Sequence, residues 1–156
     1  MNIENLFVRT ADQAAVANVV ERCLSQVDQP EWELPSSYAP LLAKDPKRKV
    51  AISPVIEGWI AIIESKEVVD FGMAKSLADE LGCTAFIMQV SDSTGAVGHL
   101  SYSNGQVTDS QFDEEAADPL NEARDIVKRH GIPFDLKMFR EVVPLTTQGW
   151  LLKQRR

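Results

Sequence analysis

The chain has only two histidines and two cysteines in its 156 residues, and that scarcity excludes several chemistries. Neither Cys-x-x-Cys nor His-x-x-x-His occurs, so no local zinc-binding spacing is present and no metal ligand is expected. There is no Gly-x-Ser-x-Gly elbow of the kind that exposes a nucleophilic serine. There is no phosphate loop either: Gly95-Ala96-Val97-Gly98 lies between two expected strands, with no helix N-terminus after it. Cys23 and Cys83 fall on or beside apolar faces with no histidine next to them, and read as reduced core residues. No apolar run approaches the roughly 18 residues of a membrane span. Met1-Asn2-Ile3-Glu4-Asn5 lacks the basic start and apolar stretch of an export signal, which gives the expectation of a cytoplasmic protein. Excess positive charge is also missing. A net charge of −7 argues against sequence-independent binding to nucleic acid, which depends on Lys and Arg neutralising phosphates.

What is present is a regular folding pattern. The hydrophobic content of 44% and charged content of 25% suit one globular domain over 1–156. Its expected parts are a sheet-and-helix core over 1–110, interrupted by a proline-rich loop at 28–49, and a helical extension over 111–156. Leu6-Phe7-Val8 reads as a first strand. Thr10-x-x-Gln13 has capping-box spacing, and Val16, Val19, Val20, Cys23, Leu24 and Val27 form a helical stripe after it. Val50 to Ile52 and Gly58 to Ile63 are expected to pair antiparallel. Asp70 then caps a helix that Gly82 stops. Thr84 to Val90 is a two-faced apolar strand, and Asn104-Gly105 turns a hairpin from Val97–Tyr102 into Gln106–Thr108. Asp118-Pro119 opens a third helix ending at Gly131, and a short helix is expected from Asp135 to Val143. The order β-α-β-β-α-β predicts an α+β fold with a ferredoxin-like core, extended by a hairpin and C-terminal helices. Its strands at 58–63 and 84–90 are apolar on both faces, so the second face needs a cover. The C-terminal helices or a second copy, as a homodimer, could supply it.

The charge is uneven. Seven acids between Asp109 and Asp125 face the single Arg124, while Lys44–Lys49 and the tail Lys153-Gln154-Arg155-Arg156 are basic. An acidic stretch of this kind is either a solvated face or a docking surface for a basic partner. On the second reading, Asp109, Asp113, Glu114, Glu115 and Asp118 steer the encounter. Trp32 and Tyr38, in the proline-rich loop, supply apolar anchors. The expected function is then a non-enzymatic protein-binding or accessory protein, in its sharpest form an immunity-type antagonist of a basic toxin. The alternative is a small ligand sensor or enzyme with a pocket near the 91–102 hairpin, using Asp92, His99 and Ser101. His130 reads as a contact to the carboxyl end of its helix. No cofactor, nucleic-acid partner or membrane partner is expected.

The Gly58-Trp59 pair, the helix ending Leu81-Gly82, and Asp92-Ser93 followed by Tyr102-x-Asn104-Gly105-x-Val107-x-Asp109 resemble a loose set of uncharacterised bacterial proteins. Those proteins share a Gly-Trp strand, a helix ending near a small residue and a Gly-turned hairpin with a tyrosine. The resemblance covers about a third of the chain. It implies a bacterial accessory protein and brings no catalytic residue with it.

Overall fold

The computed structural model describes residues 2–25, 48–66 and 69–154. Trp32 and Tyr38 lie outside the described residues. The frame is one antiparallel sheet of seven strands: β1 (Asn2–Val8), β2 (Lys49–Ile52), β3 (Ile60–Glu64), β4 (Ala85–Ser91), β5 (Ala96–Ser103), β6 (Gln106–Asp113) and β7 (Leu151–Gln154). Their spatial order is β6-β5-β4-β1-β3-β2-β7. Among the described residues the helices are α1 (Gln13–Ser25), α2 (Phe71–Leu81), α3 (Pro119–Arg129) and α4 (Phe139–Val142), the last running into a 3-10 turn at Val143–Gln148.

The alternation of side chains along the central strands divides the core in two. Leu6, Val8, Ile60, Ile62, Ala85 and Ile87 pack under α1 and α2. Phe7, Ala61, Ile63, Phe86 and Met88 point the other way, against Ala123, Ile126 and Val127 of α3 and the segment carrying Ile132, Leu136, Val142 and Trp150. Strands apolar on both faces therefore have a layer on each side. The C-terminal part of the same chain provides the second layer.

Local signals explain much of this. Asp70 accepts a hydrogen bond from Met73 N at 3.0 Å, and Gly82 closes α2 in the left-handed region at φ 60°. Other boundaries moved. The cap of α1 is Asp12, whose carboxylate accepts from Ala15 N at 3.0 Å, not Thr10. Gln13 is drawn away from a capping box because its amide donates to Ser53 O at 2.9 Å and Gly149 O at 3.0 Å. Gly58 does not begin β3. It sits at φ 82° beside Glu57 at φ 49°, in a tight turn closed by reciprocal Ile56–Trp59 backbone bonds. The expected helix over 135–143 shrinks to α4, because residues 132–138 form no helical turn and Lys137 bonds through its backbone to Asn5 of β1. Leu151–Gln154, with no strong pattern of its own, becomes an edge strand on β2. No helix among the described residues is long and apolar enough to cross a membrane.

Buried polar groups tie the layers together. Asn5, fully buried in β1, donates from Nδ2 to Lys137 O at 2.8 Å and accepts at Oδ1 from Lys137 N at 2.9 Å. That pair satisfies both backbone groups of one residue in the covering segment, much as a strand partner would. On the opposite side, buried Arg48 reaches Glu64 Oε1 at 2.5 Å and Asp70 Oδ2 at 2.9 Å. Burial opposes the charge on Arg48, yet Glu64 and Asp70 hold the guanidinium firmly protonated. Burial also pushes the Glu64 carboxyl up to about 7, against the pull of Arg48 and with help from the Asp70 charge. The folded chain thus keeps a proton that the unfolded chain releases near its ordinary value of 4.5. The sign follows: this contribution to stability is complete below 4.5 and disappears as pH rises through about 7. Between those values the parent is expected to lose stability with pH more steeply than Glu64→Gln, by urea unfolding at several pH values. Parallel slopes would count against a proton held on Glu64 there.

Both cysteines are half-buried free thiols packed against the α1–α2 core. Burial pushes each thiol up, and at Cys23 it outweighs the neighbouring Arg22. Neither is poised as a thiolate nucleophile.

Candidate functional site

The site begins with the β5–β6 hairpin. Asn104 and Gly105 both have positive φ, 53° and 77°, as a two-residue turn that matches strand twist requires. The strands then pair regularly as far as Tyr102↔Val107. The next pair is Ser101↔Asp109, leaving Thr108 as an extra residue. This bulge decides what the hairpin presents. In unbroken register Asp109 would stand on the face toward α1 and α2. One inserted residue turns it to the opposite face, where His99 points. Thr108 Oγ1 donates to Ser101 O at 3.3 Å within the bulge.

His130 arrives from the third layer. Asp118 accepts from Asn121 N at 3.4 Å, Pro119 begins α3, and His130 is its C-cap, followed by Gly131 at φ 74°. His130 Nδ1 lies 2.8 Å from Ile126 O and its Nε2 lies 3.2 Å from Asp109 Oδ2. His99 Nε2 lies 3.0 Å from the same oxygen. Phe86 forms the apolar floor: its ring stacks on His99 with centroids 5.6 Å apart and meets His130 at 4.6 Å. His99 is buried, His130 is half-buried, and the Asp109 side chain is 53% exposed, so the cluster opens to solvent on the carboxylate side. Hydrogen bonding from His99 and then from His130 holds the Asp109 carboxyl below its ordinary range.

A carbonyl oxygen can only accept, so His130 Nδ1 carries a hydrogen. In the neutral ring Nε2 is then a lone pair, and it faces a carboxylate oxygen. Two acceptors at 3.2 Å require a positive species between or upon them, either a proton or a metal ion. His99 Nδ1 is buried without a hydrogen-bond partner among the described residues. That ring is held by stacking on Phe86, by the His130 ring 5.3 Å away and by the Asp109 carboxylate.

The expected site residues divide accordingly. His99 belongs to the cluster, and Ser101 lies two residues along on the same face, opposite Asp109. Asp92 is exposed in the turn before β5, and the carboxylate meeting His99 comes from Asp109 instead. Among the acids, Asp109 is engaged by the histidines, Asp113 accepts from Glu115 N at 2.9 Å, and Asp118 caps α3. Glu114 and Glu115 are exposed. His130 was placed correctly at its helix end by sequence, but no spacing pattern joins it to residues 21 and 31 positions earlier. The usable signal is the bulge-prone step after Asn104-Gly105, visible only once β5 and β6 pair.

A second surface lies on the other face of the same hairpin. β6 is the terminal strand of the sheet, exposed along nearly all its length, with Val107 and Phe112 53% and 60% accessible. Phe112 lies across Gly98, where an added Cβ would come within 2.8 Å of its ring. Beside it runs an open groove of about 310 Å³ lined by Phe71, Ile87, Gln89, Leu100, Ser110 and Phe112. Phe71, at the start of α2, forms the helix side of the groove, and the other residues lie on β4, β5 and β6.

No family model, curated protein or solved structure matches this chain.

Proposed function

We propose that the protein is a non-enzymatic binding protein whose docking surface is the β6 edge, and whose partner presents an extended basic segment. The inner strands, in the order β4-β1-β3-β2 with α1 and α2 on one face, are read as a ferredoxin-like scaffold for that edge. One observation carries the functional reading: an eight-residue terminal strand that is long, exposed and partly apolar. Edges of this kind are normally short, covered or guarded by lysine and proline. β6 has neither residue and runs into Asp113, Glu114 and Glu115. A partner strand could take main-chain hydrogen bonds from the edge, place an apolar side chain in the groove beside Phe112, and meet the acids with Lys or Arg. An antagonist of a basic toxin is the sharpest form of this reading.

The test uses the chain as bait in its native cell, followed by kinetics with the retained partner. Glu114→Lys/Glu115→Lys is expected to lower the association rate about tenfold or more at low salt, with little difference at high salt. Phe112→Asp is expected to abolish retention while leaving the unfolding midpoint nearly unchanged, because the ring is exposed. Retention and on-rate indifferent to both changes would remove the β6 edge as the docking surface.

A further inference from the structure

We propose that His99 Nε2, His130 Nε2 and Asp109 Oδ2 bind one divalent transition-metal ion of the zinc type, on the face of the β5–β6 hairpin opposite the groove beside Phe112. The three ligand atoms all lie within 4.8 Å of one another, and the two histidine-to-carboxylate separations are 3.0 and 3.2 Å. Two metal–ligand bonds of about 2.0–2.1 Å at a tetrahedral angle hold their atoms roughly 3.3 Å apart, so both histidine–carboxylate separations are already close to those an ion needs, and the two imidazole nitrogens, within 4.8 Å, would draw together over it.

Three features favour a metal ion over a proton alone. The first is the orientation of His130, whose Nδ1 bond to the Ile126 carbonyl leaves Nε2 as the nitrogen directed at the cluster. Metal-bound histidines use this outer hydrogen bond to fix ring orientation and raise basicity. The second is convergence from three separate elements: β5, β6 and the end of α3. The bulge at Thr108 turns Asp109 onto the histidine face, against the unbroken register. Bulges recur where a side chain must be re-aimed for function. The third is the surroundings. Phe86 and the buried layer beneath it shield one side, while the partly exposed carboxylate leaves the opposite side open for water or another ligand as a fourth donor. Two imidazoles and one carboxylate suit zinc and its transition-metal neighbours, whereas calcium and magnesium favour all-oxygen sets.

The test is calorimetric titration of the untagged, chelator-treated full chain with Zn²⁺ in excess Mg²⁺, with Co²⁺ absorption as a direct view of the ligand set. The expected result is one Zn²⁺ per chain and visible Co²⁺ bands of a four- or five-coordinate nitrogen–oxygen site. His130→Ala and Asp109→Asn, both at partly exposed positions, are expected to weaken binding at least as much as loss of an outer-shell partner, about 10–100-fold. Glu114→Gln/Glu115→Gln is expected to leave it unchanged. No Zn²⁺ uptake at millimolar concentration overturns the proposal. So does uptake that survives His130→Ala and Asp109→Asn in chains whose circular dichroism matches the parent. Loss of binding in the Glu114→Gln/Glu115→Gln chain alone would assign it to surface acids and equally overturn the site. Because His130→Ala lies at the end of α3 and leaves β6 and its acids untouched, failure here is distinguishable from failure of the docking surface.

Discussion

Above pH about 7, where Glu64 is ionised, Arg48→Met is expected to destabilise the fold by about 3–5 kcal/mol, the usual cost of leaving one member of a buried ion pair alone. The arginine and glutamate side chains are only 5% and 9% exposed. Glu64 at the end of β3 would keep its desolvation penalty and lose the guanidinium 2.5 Å away. Asp70, 28% exposed, can turn to water and still cap α2 through Met73 N. The defect should therefore centre on Glu64. Arg48→Met/Glu64→Leu is expected to recover most of the loss, since an apolar pair of similar volume removes the stranded charge. Thermal unfolding should show a drop on the order of 10 °C for the single variant in a chain of this size. A single variant within about 1 kcal/mol of the parent, or a double variant no better than the single, would show that the pair is not energetically coupled as described.

Asn5→Leu is expected to cost about 2–4 kcal/mol, although it adds apolar volume to a core. The amide is the partner of both Lys137 N and Lys137 O. Removing it strands two backbone groups beneath the covering segment, at about 1–3 kcal/mol for each buried group left unsatisfied, partly offset by the apolar side chain. Local hydrogen exchange offers the sharper reading. The amide of Lys137 and its neighbours from Ile132 to Met138 should lose protection first, while those of α1 and α2 on the far face change little. Uniform loss over the whole sheet would mean that Asn5 serves the core at large and not this one strap.

The same two residues show how far sequence could reach. Nothing local distinguishes Asn5 from any polar residue at the start of a strand. Its role appears only when Lys137, 132 positions away, is laid beside it. Glu64 likewise reads as a strand-ending acid until Arg48 and Asp70 are brought around it. The α2 boundaries were legible because a cap and a left-handed stop are short-range chemistry, complete within a turn of the residue that makes them. The Asn104-Gly105 turn was legible for the same reason. Thr10 misled because the competing partners of Gln13, Ser53 and Gly149, are distant in sequence.

For the candidate site, sequence supplied His99 and Asp109 as separate suspects, one for a pocket and one for an acidic face. Only pairing of β5 with β6 could join them, since a single inserted residue reverses which way every later side chain points. His130 then required the third layer to close over Phe86. What the amino-acid order determined by itself was the set of elements, their two-faced strands and the need for cover on both sides, because periodicity and stop signals act over a few residues. The tertiary structure decided which chain segment gave that cover, which strand ended the sheet, and that two histidines and a carboxylate meet, because those outcomes depend on register and layer packing between residues far apart.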